Sequence, residues 1–132
     1  MIQTPNIKTP HGNGRILIVE DVEAVRSLAQ RIVSDLGYQV QVAHGGFEAL
    51  KLLDEGNVFD VLFTDIMMPE MDGEALAKIV KQRFPKMKIL FVSGFSLISH
   101  ETINGLGAKY ITKPYRKIEL AKFLQDIFNE DE

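Results

Sequence analysis

Apolar runs of strand length recur along this chain. Residues 15–20 (RILIVE) form a nearly continuous apolar run, as expected for a parallel strand that is covered on both faces. Residues 38–43 (YQVQVA) instead alternate apolar with polar positions, which predicts an edge strand with one face less buried. Further runs at residues 58–64, 88–93 and 108–112 bring the number of predicted strands to five.

A segment with the period of a helix follows each run. In the first segment an apolar stripe runs from Val22 to Leu36, and Gly37 follows where a helix stop belongs. Pro85 ends the third predicted helix, and the fourth is polar and marginal. The other predicted helices cover residues 47–53, 74–84, 96–105 and 118–128. This alternation predicts a parallel α/β sheet with helices on both faces, joined by right-handed crossovers.

The composition narrows the class of protein. The chain has 132 residues, 45% of them hydrophobic and 25% charged, which fits one globular domain with a buried core. The absence of cysteine excludes disulfides and thiolate zinc sites and is compatible with the cytosol. A net charge of -3 disfavours binding to nucleic acid. No apolar run approaches the roughly 20 residues that span a bilayer, so we expect a cytoplasmic protein without membrane insertion.

The two ends differ from the rest of the chain. Residues 1–14 contain two Pro and two Gly among Thr and Asn, which predicts a flexible N-terminal arm. Residues 129–132 form a short acidic tail. The predicted domain therefore covers residues 15–128.

Polar residues stand at the carboxyl ends of four predicted strands. Glu20 and Asp21 end the first, Asp65 ends the third, Ser93 ends the fourth and Lys113 follows the fifth. In an open parallel sheet these ends share one edge, and ligands bind there beside the point where the strand order reverses. We therefore expect these five side chains to converge in space.

The chemistry of this set points to phosphoryl transfer. Three carboxylates in one crevice repel each other, and a hard cation is the usual way to keep them ionised. Mg²⁺ suits such oxygen ligands, and the backbone carbonyl of Met67 is a further candidate ligand. Lys113 and the hydroxyl of Ser93 are groups that bind phosphoryl oxygens. We expect Asp65 to be the phosphoryl-accepting carboxylate.

The same residues carry a family resemblance. In chain order the matching motifs are Glu20-Asp21, Thr64-Asp65-Ile66-Met67-Met68-Pro69 with Met71-Asp72-Gly73, Ser93-Gly94 and Lys113-Pro114. From residue 15 to about residue 128, the sequence resembles the receiver domains of bacterial response regulators, of the chemotaxis-regulator type. The Ser93-Gly94-Phe95 stretch is similar to receivers that are attached to hybrid histidine kinases.

The resemblance implies a fold, a reaction and partners. The fold would be flavodoxin-like with strand order 2-1-3-4-5, often with a cis peptide before Pro114. Asp65 would take a phosphoryl group from a phosphohistidine on a histidine kinase or histidine phosphotransferase, with Mg²⁺ as cofactor. Such a protein catalyses only its own phosphorylation and dephosphorylation, acts on a downstream protein, and is a monomer or weak dimer.

The resemblance also implies a role for each residue at the edge. Glu20 and Asp21 would bind the metal together with Asp65. The phosphoryl-binding and switch residues would be Lys113, Ser93 and the aromatic Tyr110. Apart from the resemblance, Met67 and Phe95 lie next to these residues in the sequence and would line the rim with apolar bulk, and we hypothesise that they restrict the water that hydrolyses the acyl phosphate.

Each of these residues also has a purely structural explanation. Asp21 could cap the helix that follows it, and Asp65 could be a turn residue. Asp72-Gly73 is typical of a turn and a helix start, and Tyr110 could be a half-buried aromatic. Convergence at one edge is what would favour the functional interpretation.

Other functions fit parts of the pattern. A phosphatase of the haloacid dehalogenase type also uses a strand-end aspartate with Mg²⁺, but it needs a second acid two residues later, where Met67 stands. The same absence argues against a toprim-like nuclease. A flavodoxin needs a phosphate loop after the first strand, and Asp21-Val22-Glu23-Ala24 is not one. A receiver-like interaction module that works without phosphorylation stays open as the alternative.

Overall fold

The computed structural model describes residues 12–94 and 98–130, which form five strands and five helices in strict alternation. The strands are β1 (Arg15–Val19), β2 (Gln39–Ala43), β3 (Val61–Asp65), β4 (Lys88–Ser93) and β5 (Lys109–Thr112). The helices are α1 (Glu23–Asp35), α2 (Gly46–Asp54), α3 (Gly73–Arg83), α4 (His100–Gly105) and α5 (Lys117–Asn129). Within this described part, none of the helices has the length and apolar character needed to cross a bilayer.

The sheet is entirely parallel, and its order is β2-β1-β3-β4-β5. This confirms the flavodoxin-like order, and β2 lies at an edge as its alternating pattern predicts. The chain first winds outward from β1 to β2 and then crosses back to β3, so the strand order reverses between β1 and β3. A crevice opens there at the carboxyl ends of the strands.

Two apolar cores lie on opposite faces of the sheet. On one face, Val33 of α1 and Leu124 of α5 share a core with Ile18 of β1. On the other face, Leu76 of α3 belongs to a core with Leu17 of β1. Adjacent residues of β1 therefore face different cores, which is why this strand is continuously apolar.

The third strand is the one strand whose predicted start is wrong by more than one residue. The apolar run begins at Val58, but β3 begins at Val61. The neighbouring β1 begins only at Arg15, whose amide donates to the carboxylate of Asp60 at 2.9 Å. Val58 lies beyond the end of that neighbour, and its side chain is 70% exposed.

The predicted helix starts also differ from the structure, by one residue in every helix but α4, where the difference is four. Val22 is the N-cap residue of α1 and is 51% exposed, so it does not belong to the buried stripe. α4 begins at His100 rather than at residue 96, after the Ser99 hydroxyl accepts a hydrogen bond from the amide of Thr102. Phe95 and residues 96–97 lie outside the described residues.

Candidate functional site

The turn between β1 and α1 carries the acid pair. The amide of Glu20 donates to the carbonyl of Ala43 at 3.1 Å, which extends the pairing of β1 with β2 by one residue. The Oε2 atom of Glu20 accepts from the amide of Val22 at 3.0 Å, so the buried carboxylate is held close to its own turn. α1 has Val22 as its N-cap and no side-chain cap, which excludes the capping explanation for Asp21.

Asp65 is the last residue of β3, and its carboxylate has a defined orientation. Oδ1 accepts a hydrogen bond from the amide of Ile66 at 2.7 Å, while Oδ2 lies 3.6 Å from Nζ of Lys113. The backbone carbonyl of Asp65 accepts from the hydroxyl of Thr64 at 2.8 Å. The side chain is 13% exposed, so it is accessible from the crevice while its position is restrained.

Lys113 connects the end of β5 to the acid on β1. Its Nζ lies 2.9 Å from Oε1 of Glu20, and its amide donates to the carbonyl of Ser93 at 3.0 Å. The peptide bond from Lys113 to Pro114 is cis, as the resemblance implies. Backbone pairing to β4 therefore directs the lysine into the crevice beside both acids.

The three acids form a group of oxygen donors. Glu20, Asp21 and Asp65 each offer one carboxylate oxygen, and these oxygens lie within 4.8 Å of one another. Carboxylate oxygens at this spacing fit a hard divalent cation such as Mg²⁺, which takes oxygen ligands and keeps several waters. The part of the Met67 carbonyl as a further ligand stays a prediction.

Ser93 and Tyr110 lie on neighbouring strands and share a face of the sheet. The register pairs Phe91 with Tyr110 and Ser93 with Thr112, and alternate residues of a strand face the same way. Ser93 is buried, whereas Tyr110 is half-buried beside the core under α2 and α3. Tyr110 also lines a surface cavity of about 570 Å³ with Ile98, Ile103 and Phe123.

The loop between β3 and α3 follows directly after Asp65 and lines a cavity of its own. The side chain of Met67 is 64% exposed, and with Met68 and Pro69 it lines a cavity of about 550 Å³. Glu70 has a φ of 69°, a left-handed conformation that is uncommon for residues other than glycine. The place of Met67 at the rim of the site stays a prediction, and its proposed partner Phe95 lies outside the described residues.

Gly73 has a role that sequence reasoning missed. Asp72 caps α3, accepting from the amide of Ala75 at 2.8 Å, which confirms the predicted turn and helix start. The amide of Gly73 also donates to the carbonyl of Ile66 at 2.7 Å, and a Cβ at Gly73 would lie 2.0 Å from the carbonyl oxygen of Asp65. The glycine therefore permits α3 to approach the backbone of Asp65. In the sequence, the Asp72-Gly73 step was the signal from which this role of Gly73 could have been inferred.

Tyr115 also lies beside the site without having been predicted there. Burial, and secondly the negative charge of Glu20, raise the pKa of Tyr115 to about 12. Its hydroxyl is therefore protonated at neutral pH. A tyrosine after a Lys-Pro step carries no signal in the sequence that would reveal this influence of Glu20 on its pKa.

Comparison with known proteins relates this geometry to a family. The family model described as the response regulator receiver domain matches residues 16–125. The response regulator receiver protein CpdR of Brucella abortus is 34% identical over 120 residues, which are 89% of this chain and 93% of CpdR. The sensor kinase CckA of the same organism is 32% identical over 124 residues, which are 92% of this chain but only 13% of CckA.

A solved structure agrees with these matches. The response regulator TrrA of Thermotoga maritima, in complex with Mg²⁺-BeF, has a TM-score of 0.77 at 28% identity, and the match covers 86% of this chain and 97% of TrrA. Receiver domains interact with histidine kinases or phosphotransfer proteins and generally bind Mg²⁺ at an acidic pocket. They are signalling domains rather than conventional enzymes. The family model and the relatives match most of the chain, and the strand order agrees with them. This protein therefore belongs to the response regulator receiver family of two-component systems.

Proposed function

We propose that this receiver accepts a phosphoryl group on Asp65 from the phosphohistidine of a histidine kinase or histidine phosphotransferase. The observation that carries the proposal is the setting of the carboxylate. Oδ1 is held by the amide of Ile66 at 2.7 Å, and Oδ2 lies 3.6 Å from the ammonium group of Lys113. An oriented carboxylate beside a cation is what attack on a phosphorus atom requires.

The phosphoryl group passes from the phosphohistidine to Asp65 by exchange of one bond to phosphorus for another. An oxygen of Asp65 forms a bond to phosphorus while the P–N bond of the phosphohistidine breaks, and the electron pair of that bond stays on the imidazole. Lys113 donates a hydrogen bond to a phosphoryl oxygen, which offsets part of the repulsion between two anions. Mg²⁺ bound by Glu20, Asp21, Asp65 and the Met67 carbonyl would supply further positive charge at the same place.

Ser93 and Tyr110 would convert the modification into a change of shape. The new phosphoryl oxygens accept a hydrogen bond from the hydroxyl of Ser93, and the inward movement of Ser93 opens space that the ring of Tyr110 fills. α4 has six residues and no buried side chain, which suits a mobile element of low local stability. α4 and β5 would then present the phosphorylated state to a downstream protein.

Met67 and Phe95 would set the lifetime of the signal. Met67 stands two residues after Asp65 and is exposed, so its side chain would cover part of the approach to the carboxylate with apolar surface. Water that lacks a polar partner at this rim is poorly placed for attack on the acyl phosphate. The hydrolysis rate should therefore depend on the polarity of residue 67.

We further propose that residues 15–128 are the working unit, between the arm of residues 1–14 and the tail of residues 129–132. The two cores on opposite faces of the sheet support one self-contained domain. The net charge of -3 supports contact with proteins rather than nucleic acid. The unit would act in the cytoplasm as a monomer or weak dimer.

A small-molecule phosphodonor tests the proposal. The protein is incubated with acetyl phosphate and Mg²⁺, and the intact mass is expected to rise by one phosphoryl group. Asp65→Asn should abolish the adduct, whereas Asp72→Asn should leave it, because asparagine also caps a helix well. Asp21→Asn should reduce modification while the circular dichroism spectrum is unchanged.

The result separates the two functions that the sequence leaves open. An adduct that requires both Asp65 and Mg²⁺ supports the phosphoacceptor. The absence of an adduct with any donor, in protein that is folded and binds its partner, would favour the interaction module that works without phosphorylation.

A further inference from the structure

Arg26 binds the backbone of both acids in the turn between β1 and α1. Its side chain runs back along α1 toward the start of the helix. Nη1 donates a hydrogen bond to the carbonyl of Glu20 at 2.9 Å and lies 3.5 Å from the carbonyl of Asp21. One guanidinium group therefore contacts two consecutive peptide units, which are those of the candidate metal-binding acids.

The direction of this side chain is unfavourable for a helix alone. The first turn of a helix carries partial positive charge, so a cation that points toward it is repelled. α1 has no side-chain cap that would neutralise this end, and Glu23 is the acid in its first turn. The carbonyl acceptors of Glu20 and Asp21 offset the repulsion, because hydrogen bonds from a charged donor are stronger than those between neutral groups.

The two acids differ in how they are held. Both carboxylate oxygens of Glu20 have partners, the amide of Val22 and the ammonium group of Lys113. Within residues 12–94 and 98–130, the carboxylate of Asp21 accepts no hydrogen bond and forms no ion pair. The orientation of Asp21 toward Asp65 therefore depends on its backbone, and Arg26 is the side chain that contacts this backbone.

We propose that Arg26 is a positioning residue that holds the acid pair in the conformation that binds a divalent cation. The inference rests on the proposed function, since it assigns Arg26 a part in the same site. Groups behind metal ligands keep those ligands in place, and their loss typically weakens metal binding by about 10- to 100-fold. Arg26 acts through the two acids and does not itself bind the metal or the phosphoryl group.

Calorimetric titration with Mg²⁺ alone tests the proposal on the whole chain. Arg26→Met keeps most of the apolar stem but removes the donors, so the dissociation constant should rise by about tenfold. The matched control is Arg31→Met, an exposed position on the same helix, where the constant should stay within about twofold. Arg26→Lys keeps a cation that can reach one carbonyl and should recover part of the affinity.

A second readout needs no metal. The amide of Val22 is bonded to Oε2 of Glu20, so its hydrogen exchange should quicken in Mg²⁺-free Arg26→Met and stay unchanged in Arg31→Met. In the phosphodonor assay, Arg26→Met should be slow at limiting Mg²⁺ and should recover at saturating Mg²⁺. A change that only loosened the fold would not be reversed in this way.

The affinity for Mg²⁺ separates failure of the role of Arg26 from failure of the proposed function. An Arg26→Met protein that binds Mg²⁺ as tightly as the unmodified chain would overturn the positioning role, whatever happens to its melting temperature. An Arg26→Lys protein that binds no more tightly than Arg26→Met would also count against it. If the unmodified chain itself binds no Mg²⁺, it is the proposed function that fails.

Discussion

The ammonium group of Lys113 lies 2.9 Å from Oε1 of Glu20, a residue 93 positions earlier in the chain. Glu20 is only 4% exposed, and a buried carboxylate without a partner is strongly disfavoured. The same ammonium group lies 3.6 Å from Oδ2 of Asp65. One cation therefore stabilises acids from two strands and ties β5 to the crevice.

Replacing this cation should weaken the fold as well as the site. We expect Lys113→Met to lower the free energy of unfolding by roughly 1–3 kcal/mol in the absence of Mg²⁺, because the buried carboxylate of Glu20 loses a charged partner. Urea denaturation measures this change. Adding Glu20→Gln to Lys113→Met should restore part of the stability, since the unpaired charge is then removed.

The control for this prediction is Lys117→Met. Lys117 lies 3.8 Å from Asp35 in an ion pair that is open to solvent, so its loss should cost less than about 1 kcal/mol. Equal effects of the two substitutions would contradict the special role of the buried pair.

Gly73→Ala should disturb Asp65 through the backbone. The new methyl group would lie 2.0 Å from the carbonyl oxygen of Asp65, so α3 or the end of β3 must shift. We expect a loss of roughly 1–3 kcal/mol in unfolding free energy, together with slower phosphorylation by acetyl phosphate.

Gly105→Ala is the matched control, because a Cβ there would meet no atom within 4 Å. It should leave phosphorylation unchanged and should not destabilise the protein. Thermal unfolding and intact-mass kinetics on both variants decide the point. Normal phosphorylation of Gly73→Ala would mean that the close approach is not needed.

Met67→Asn should shorten the life of the acyl phosphate. The amide side chain can hydrogen-bond the attacking water at the rim, whereas the exposed thioether cannot orient it well. The phosphorylated protein is separated from the donor and its loss of phosphoryl group is timed by intact mass. Met67→Leu, which stays apolar, should keep the original rate. An unchanged rate in Met67→Asn would remove the rim hypothesis.

Tyr115 should ionise unusually late in the folded protein. Burial and then the charge of Glu20 raise its pKa to about 12. The phenolate absorbance of Tyr115 should therefore appear at a pH well above 10, which is near the ordinary pKa of tyrosine. Tyr115→Phe identifies the transition, which matters because burial also raises the pKa of Tyr38. Glu20→Gln should lower the pKa of Tyr115 while leaving it above normal, since burial remains.

The raised pKa of Tyr115 also has a consequence for stability. As the pH rises, the unfolded chain loses this proton first, near pH 10, while the folded protein holds it until about pH 12. The contribution of Tyr115 to the free energy of unfolding is therefore complete below about pH 10 and is lost as the pH rises through about 12. When chemical denaturation is repeated across this pH range, the free energy of unfolding should fall more steeply with pH in the unmodified protein than in Tyr115→Phe. Parallel curves would argue against the shift.

Hydrophobic patterning was sufficient for most of the sheet. Strands that are buried on both faces must be apolar at every position, so β1 and β4 could be read directly from their runs, and the alternation in β2 revealed an edge. The start of β3 was wrong because an apolar run continues to Val58 although no neighbouring strand is there to pair with it.

The sequence by itself determined which functional side chains lie at the ends of the strands. Glu20, Asp65 and Lys113 come to one edge because the strands are parallel, and this does not depend on how the helices pack. Only the tertiary structure decided what holds these side chains in place. The contact of Arg26 depends on the angle at which α1 leaves β1, and the need for glycine at Gly73 depends on how closely α3 approaches Asp65. Residue patterns encode burial and periodicity, whereas these distances follow from the packing of both cores together.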